Sequence, residues 1–255
     1  MSIGHALFAT YANPLRIVDG ADFDGVDDRL SRGAGLSGLA DGKSGSLSAW
    51  VRLDADPSPS GAVFNLMIGS GSRLTVDYNP GIDSLRVIGA NAAGTTILSI
   101  RSTTALTPGA SWIHLLASWD LANAGSARIY VNDVSDLTQT TYTNDTLDYT
   151  GDGFFVGNHP VGGTNWNGCM AELWFAPNVY LDFDLVYWRR QFRSASGKPL
   201  HLGADGSLAT GVAPPLYLHL DDGEAVGNFA TNRGTGGNLS VLGGGLASAS
   251  SSPSD

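Results

Sequence analysis

From about residue 20 to residue 175 the chain alternates apolar and polar residues in short runs, interrupted by turn formers too often for long helices. In 46–53 the set Leu47, Ala49, Val51 and Leu53 alternates with Ser46, Ser48, Trp50 and Arg52, the period of two that turns one face of a strand toward a core. Ile113, Leu115, Ala117 and Trp119 repeat it against His114, Leu116 and Ser118. Shorter versions are Leu74, Val76 and Tyr78; Leu85, Val87 and Gly89; and Ile129 and Val131. Asn79-Pro80-Gly81 and Asn91-Ala92-Ala93-Gly94 punctuate the runs as turns. This spacing predicts an all-β sandwich of antiparallel sheets. A parallel sheet needs crossovers of roughly ten or more residues, and no helical pattern of that length precedes residue 180.

One helix is expected near 182–193. Phe183, Val186, Tyr187 and Arg190 fall at helical spacing, with Asp182 and Asp184 first and Arg189, Arg190 and Arg193 last, the order that suits a helix dipole. Helix formers are otherwise scarce, with two Lys and two Glu in the chain. Leu216 to Leu220 reads as a returning strand. Residues 243–255 are Gly, Ala and Ser with few large side chains, which reads as a flexible tail. Residues 1–14 read as an amino-terminal arm, leaving one domain over 15–242. A chain of 255 residues with 34 Gly and 11 Pro that is still 42% hydrophobic has a core's worth of apolar side chains, so the bulk is not disordered.

Charge and motif content remove several function classes. The net charge of −10, without a Lys/Arg cluster, lacks the electrostatic footprint of phosphate binding, so no nucleic-acid partner is expected. Cys169 is the single cysteine, which excludes an intrachain disulfide and a multi-cysteine metal site and reads as a small buried hydrophobe. Apolar runs such as 113–117 fall far short of the ~20 residues that span a bilayer, and Met1 to His5 carries no secretion-signal pattern. Ser37 to Ser44 ends in the Gly-Lys-Ser of a phosphate loop but lacks its leading Gly and precedes a strand. No serine has glycines at both flanking elbow positions. His5, His114, His159, His201 and His219 lack zinc spacing, and His114 and His219 read as hydrogen-bonded sheet residues. Glycoside hydrolysis needs two close carboxylates. Glu172 and Glu224 stand 52 positions apart, and no acidic cluster forms a Glu-x-Asp-x-x-Glu strand. No catalytic, cofactor or metal residue is therefore assigned, and no enzyme activity is expected. Asp24 to Asp28 could offer oxygens to a structural calcium, with an Asp-Gly turn as the plainer reading. Trp112, Trp119 and Trp174 read as structural, while Trp166, among Gly and Asn, is expected at a loop-rich rim.

Six segments, in order, resemble the laminin G-like, or concanavalin A-like, jelly roll. They are 21–28 around Asp24-Gly25, 45–51 ending in Trp50-Val51, 112–120 with Trp112-Ile113-His114, 127–132 with Tyr130-Val131, 154–157, and 167–174 with Glu172. That family usually places Asp-Gly after its Tyr-Val pair, where this chain has Asn132-Asp133, leaving the hairpin's turn type open. From about residue 178, Trp188 to Arg193, Gly197 to Leu200, Leu202 to Ser207 and Thr231 to Asn238 resemble the extension on laminin G-like proteins of tailed bacteriophages and prophages. The resemblance implies a jelly-roll β-sandwich of two antiparallel sheets with one short peripheral helix. It also implies a non-enzymatic virion protein on the particle surface, as capsid decoration or tail-associated module, with other virion proteins as partners, homo-oligomers included. The alternative is a lectin-like adhesion module recognising host surface glycans through rim loops such as 142–145 and 165–167. Fold by itself does not choose between them.

Overall fold

The computed structural model describes residues 17–57, 60–109, 111–159 and 163–255; the arm expected at 1–14, with His5, lies outside them. In chain order the strands begin β1 (Val18–Asp19), β2 (Ala21–Asp24), β3 (Arg29–Arg32), β4 (Ser44–Leu53), β5 (Gly61–Ile68) and β6 (Gly71–Asn79). They continue β7 (Ser84–Ala90), β8 (Thr96–Arg101), β9 (Ile113–Asp120), β10 (Arg128–Val131), β11 (Val134–Ser135) and β12 (Thr138–Tyr142). Then come β13 (Gly153–Val156), β14 (Asn167–Pro177), the helix α1 (Val186–Arg189), β15 (Leu216–Leu218), β16 (Leu220–Asp221), β17 (Ser240–Leu242) and β18 (Ala247–Ser248). Two eight-stranded sheets result. The first runs β11-β10-β9-β4-β14-β2-β18 with β15 also on β14; the second runs β12-β8-β7-β6-β5-β13-β3-β17. Their neighbours pair antiparallel, and β1 pairs separately with β16. This is the expected two-sheet jelly roll.

The alternating apolar sets meet between the sheets. Leu47 and Val51 of β4, and Leu115 and Trp119 of β9, share a buried cluster with Phe64 of β5 and Val76 of β6. Phe64 packs on Phe154 at 5.5 Å and on Phe175 at 5.2 Å between ring centres. Two polar groups that come along satisfy each other: the Trp119 indole donates to the Tyr149 hydroxyl (2.9 Å), which donates to the Ser44 carbonyl (2.8 Å).

The opposite face of the first sheet is covered as well. Leu116, Tyr130, Trp174, Leu181, Phe183 and Phe192 form part of a second buried cluster between that face and residues 178–217. Ser46 donates to the Val179 carbonyl and accepts from the Leu181 amide, and Ser118 donates to the Leu181 carbonyl. The expected helix over 182–193 is correspondingly short. Val186 and Tyr187 are exposed, and Phe183 and Phe192 at its flanks are the buried apolar residues of the span, so no continuous apolar stripe holds a longer helix. Asp182 and Asp184 pair with Arg128 instead of capping.

Asn132 and Asp133 settle the β10–β11 hairpin. Both have positive φ, 52° and 72°, and Val131 pairs with Val134, which makes a two-residue type I′ turn. Asp133 also accepts from Arg189 (2.5 Å) and Arg190 (2.7 Å). Burial opposes its ionisation, but those two arginines hold its carboxyl below the ordinary range. Asp133→Gly and Asp133→Ala both lose these ion pairs, while only alanine strains the left-handed backbone. Chemical denaturation should therefore find Asp133→Ala about 1 kcal/mol less stable than Asp133→Gly; equal stabilities would reject the turn assignment.

Residues 243–255, flexible by composition, here have defined partners. Ala247 and Ser248 pair with Asp22 and Ala21 of β2, the Ala249 amide donates to the Gly20 carbonyl, and the Val18 amide donates to Ser254. Gly243, at φ +91°, crosses so near the Asp27 carbonyl that a Cβ would lie 2.1 Å from its oxygen.

Candidate functional site

The outer face of the first sheet is not covered along its whole length. Where residues 178–217 stop and 243–255 begin, an open groove of about 460 Å³ remains. Its floor is Trp50 of β4, and one wall is Trp112, which immediately precedes β9. Asn132, Arg193, Lys198, Ser251 and Asp255 also line it. Successive strands bring these together because Trp50 sits on the polar phase of β4, opposite His114 in the β4–β9 register.

The floor is rigidly built. The Trp50 ring lies on the His114 imidazole at 4.6 Å with planes 16° apart. His114 is fully buried and its Nε2 is 2.8 Å from the Ser48 hydroxyl. Its Nδ1 is buried without a hydrogen-bond partner. Burial first, and the Arg193 charge second, push its pKa down to about 3, with Asp133 opposing, so it is a neutral ring at ordinary pH. Arg193 stands 5.6 Å from the Trp50 ring centre and donates to Asn132 Oδ1 (3.0 Å), which also accepts from the His114 amide (3.0 Å). Beside Trp112, Ser251 Oγ accepts from the Trp112 indole (3.0 Å) and from Arg52 (2.5 Å). The Arg52 guanidinium lies 5.8 Å from the Trp112 ring centre.

Past Arg52 and Asp54 a second depression, of about 610 Å³, continues the groove. Beneath it Asp22, Asp54 and Cys169 place donor atoms within 4.8 Å of one another. Burial, then the Asp54 charge, raises the Asp22 carboxyl above its ordinary range, so the pair has one feature of a glycosidase acid and base. Both Asp54 oxygens are nevertheless taken by Arg52, at 2.8 and 3.0 Å. Cys169 is buried as expected. Burial, then Asp22, pushes its thiol far above the ordinary value, which leaves it protonated and unreactive.

The other residues singled out by sequence are placed as follows. Asp24 Oδ1 accepts from the amides of Val26, Asp27 and Asp28 at 2.7, 3.1 and 3.4 Å, and Asp28 Oδ2 accepts from the Asp24 amide. The Asp-Gly turn is thus held by its own backbone. Its three carboxylates also lie within 4.8 Å of one another, a spacing that suits a hard cation. Trp166 is not a rim platform: its side chain is fully buried in the main core, near Pro57 and Gly61. The Gly and Asn around it shape the backbone while the indole fills the interior. Trp119 and Trp174 are buried as expected, but Trp112 is only partly buried and lines the groove. Loop polar groups at Asn144, Asp145 and Asn165 bond to Lys43, Asn91 and Val26. Trp50, Trp112, Arg193 and Lys198 were not read as a site. A large aromatic on the polar phase of β4 was the one signal available.

The family model of the concanavalin A-like lectin/glucanases superfamily matches residues 24–179. Among solved structures, a candidate carbohydrate-binding protein from Bacteroides ovatus ATCC 8483 is similar in fold, with a TM-score of 0.58 at 17% identity. The match covers 94% of this chain and 62% of that one, so this chain spans less than two thirds of its length. Domains LG4-5 of the mouse laminin α1 chain match at a TM-score of 0.43 and 15% identity, over 62% of this chain and 41% of that one. No curated protein sequence matches. Trp50, Trp112 and Asn132 fall inside the family match, whereas Arg193, Lys198 and Ser251 lie beyond it.

Proposed function

We propose, from the premise that this chain belongs to the concanavalin A-like lectin/glucanases superfamily, that it is a non-catalytic carbohydrate-binding module whose site is the Trp50–Trp112 groove. The observation that carries this reading is the composition of the groove: the part-exposed Trp112 ring beside Asn, Ser, Arg and Lys donors in an open cleft, over a buried Trp50. Flat apolar rings with polar tips suit sugars, whose faces are apolar and whose edges are hydroxyls. The similarity in fold to a carbohydrate-binding candidate agrees with it. Binding rather than hydrolysis is favoured because Arg52 occupies both oxygens of Asp54, leaving the nearby carboxylate pair without a free nucleophile.

The test is a glycan array read with and without calcium, followed by titration of the best ligand. Trp112→Ala should weaken that ligand about tenfold or more while the melting temperature stays near that of the parent. Silence of the array in both conditions would remove the reading.

A role on a phage particle, as decoration or tail-associated module assembled with other virion proteins, is a second proposal. It rests on the resemblance of residues 188–238 to phage extensions and is compatible with sugar binding. Mass spectrometry of purified particles should detect the chain; particles free of it would end that proposal.

A further inference from the structure

Resting on that reading of the groove, we propose that its ligand is an anionic oligosaccharide, one carrying a carboxylate or a sulfate ester. Acidic side chains outnumber basic ones 24 to 14 in this protein, yet two cations line this one groove. Among the described residues, seven arginines close ion pairs with Asp or Glu. Arg193 and Lys198 close none there, and both line the groove.

Asp133, the carboxylate whose charge acts on Arg193, is held by Arg189 and Arg190. Asp255 lines the same groove and accepts from the Ser252 amide at 2.7 Å, so two cations face one carboxylate there. Arg193 is fixed from below by the Trp50 face and from the side by Asn132, so its position is set before a ligand arrives. Burial opposes the Arg193 charge, Asp133 counters it, and Arg190 adds a smaller opposing effect. An incoming anion would offset the cost of keeping that charge half-buried. Arg193 and Lys198 line the same groove as Trp112, so a sugar ring resting on the indole would bring its anionic substituent into one cleft with the two cations. Charge-assisted hydrogen bonds of this kind are roughly twice as strong as neutral ones.

The two cations come from residues beyond the family match, while the aromatic faces come from within it. The charge preference would accordingly belong to the carboxy-terminal layer of this chain and not to the jelly roll at large.

The experiment titrates the full chain with matched oligosaccharides: a uronic-acid oligomer and its methyl ester, and a sulfated oligomer and its desulfated counterpart. At least one anionic member should bind about tenfold tighter than its neutral match. Its affinity should fall when salt rises from about 0.05 M to about 0.5 M. The pair that discriminates identifies carboxylate or sulfate as the recognised group. Lys198→Gln, on a loop and without structural hydrogen bonds from its side chain, should remove several-fold of the anionic advantage, read as the ratio of charged to neutral affinity; Arg193→Gln should remove more. Equal affinity for charged and neutral members would overturn the inference while leaving sugar binding in place. An anionic preference that survives in both variants would overturn the assignment to this groove. No binding of any member would remove the reading on which the inference rests.

Discussion

Replacing Trp174 by alanine is expected to lower the unfolding free energy by about 3–5 kcal/mol and to release the carboxy-terminal layer before the sandwich itself opens. Trp174 is fully buried on the outer face of β14. Its indole donates to the Gly206 carbonyl at 3.1 Å and it meets the Phe192 ring edge-on at 5.1 Å, with Phe192 edge-on to Phe183 at 6.1 Å. Truncation leaves a cavity where three aromatic rings met and strips the Gly206 carbonyl of its donor. The main core uses the other side of the same strands, through Met170, Leu173 and Phe175, so it keeps its packing. Single domains are stable by only about 5–15 kcal/mol, which makes the loss large. Limited proteolysis should then cut Trp174→Ala first within 186–212, at a denaturant concentration where β4 and β9 remain protected from amide exchange. Phe64→Ala is the contrast, since it damages the main core and should expose all segments together. Identical cleavage patterns in the two variants would show that layer and sandwich form one cooperative unit.

The sandwich was legible because its alternation is strict where a sheet has one apolar side: Leu47 to Leu53 and Ile113 to Trp119 point inward as their spacing demands. The second core was not legible, for a physical reason. Ser46, Ser48, His114 and Ser118 occupy the polar phase and read as solvent-facing, yet all are buried. Ser46 and Ser118 bond the passing backbone at 179–181, and Ser48 bonds His114. A small hydroxyl on a strand suits water and a neighbouring main chain equally well, so periodicity cannot separate the two. The helix expected near 182–193 is present but shorter, over Val186–Arg189, since Asp182 and Asp184 answer to Arg128 and not to their own helix dipole. The groove draws on Trp50, Trp112, Asn132, Arg193 and Ser251, residues up to about two hundred positions apart. Only the topology brings them together. Trp166 shows the converse error, in which loop-like neighbours pointed to a rim and the side chain went inside.

His114 gives the second large effect, through pH. Buried under Trp50 and close to the Arg193 charge, it titrates near 3 in the folded protein against an ordinary 6.5. Between those values the unfolded chain binds a proton that the folded chain refuses, so stability is complete above pH 6.5 and declines as pH falls toward 3. Each pH unit in that window is worth about 1.4 kcal/mol. From pH 7 to pH 5 the decline from this one group is then about 2 kcal/mol. Asp133, Asp136 and Glu224, whose carboxyls are lowered despite burial, act in the same direction but at lower pH, as protonation begins near their unfolded values of about 4. Asp22 and Asp28 are raised, chiefly by burial, and act in the opposite direction, which moderates the total slope. The difference between parent and variant isolates the histidine. His114→Gln keeps a partner for Ser48 and cannot titrate, so its stability should be flatter than the parent's between pH 7 and pH 5 by about 2 kcal/mol, measured by urea unfolding. Parallel curves would mean that water reaches the ring and that the groove floor is looser than the 4.6 Å stack of Trp50 on His114 implies. If the curves diverge as expected, the folded protein keeps a neutral ring beneath Trp50 throughout that interval, so titration of His114 should leave ligand affinity unchanged between pH 7 and pH 5.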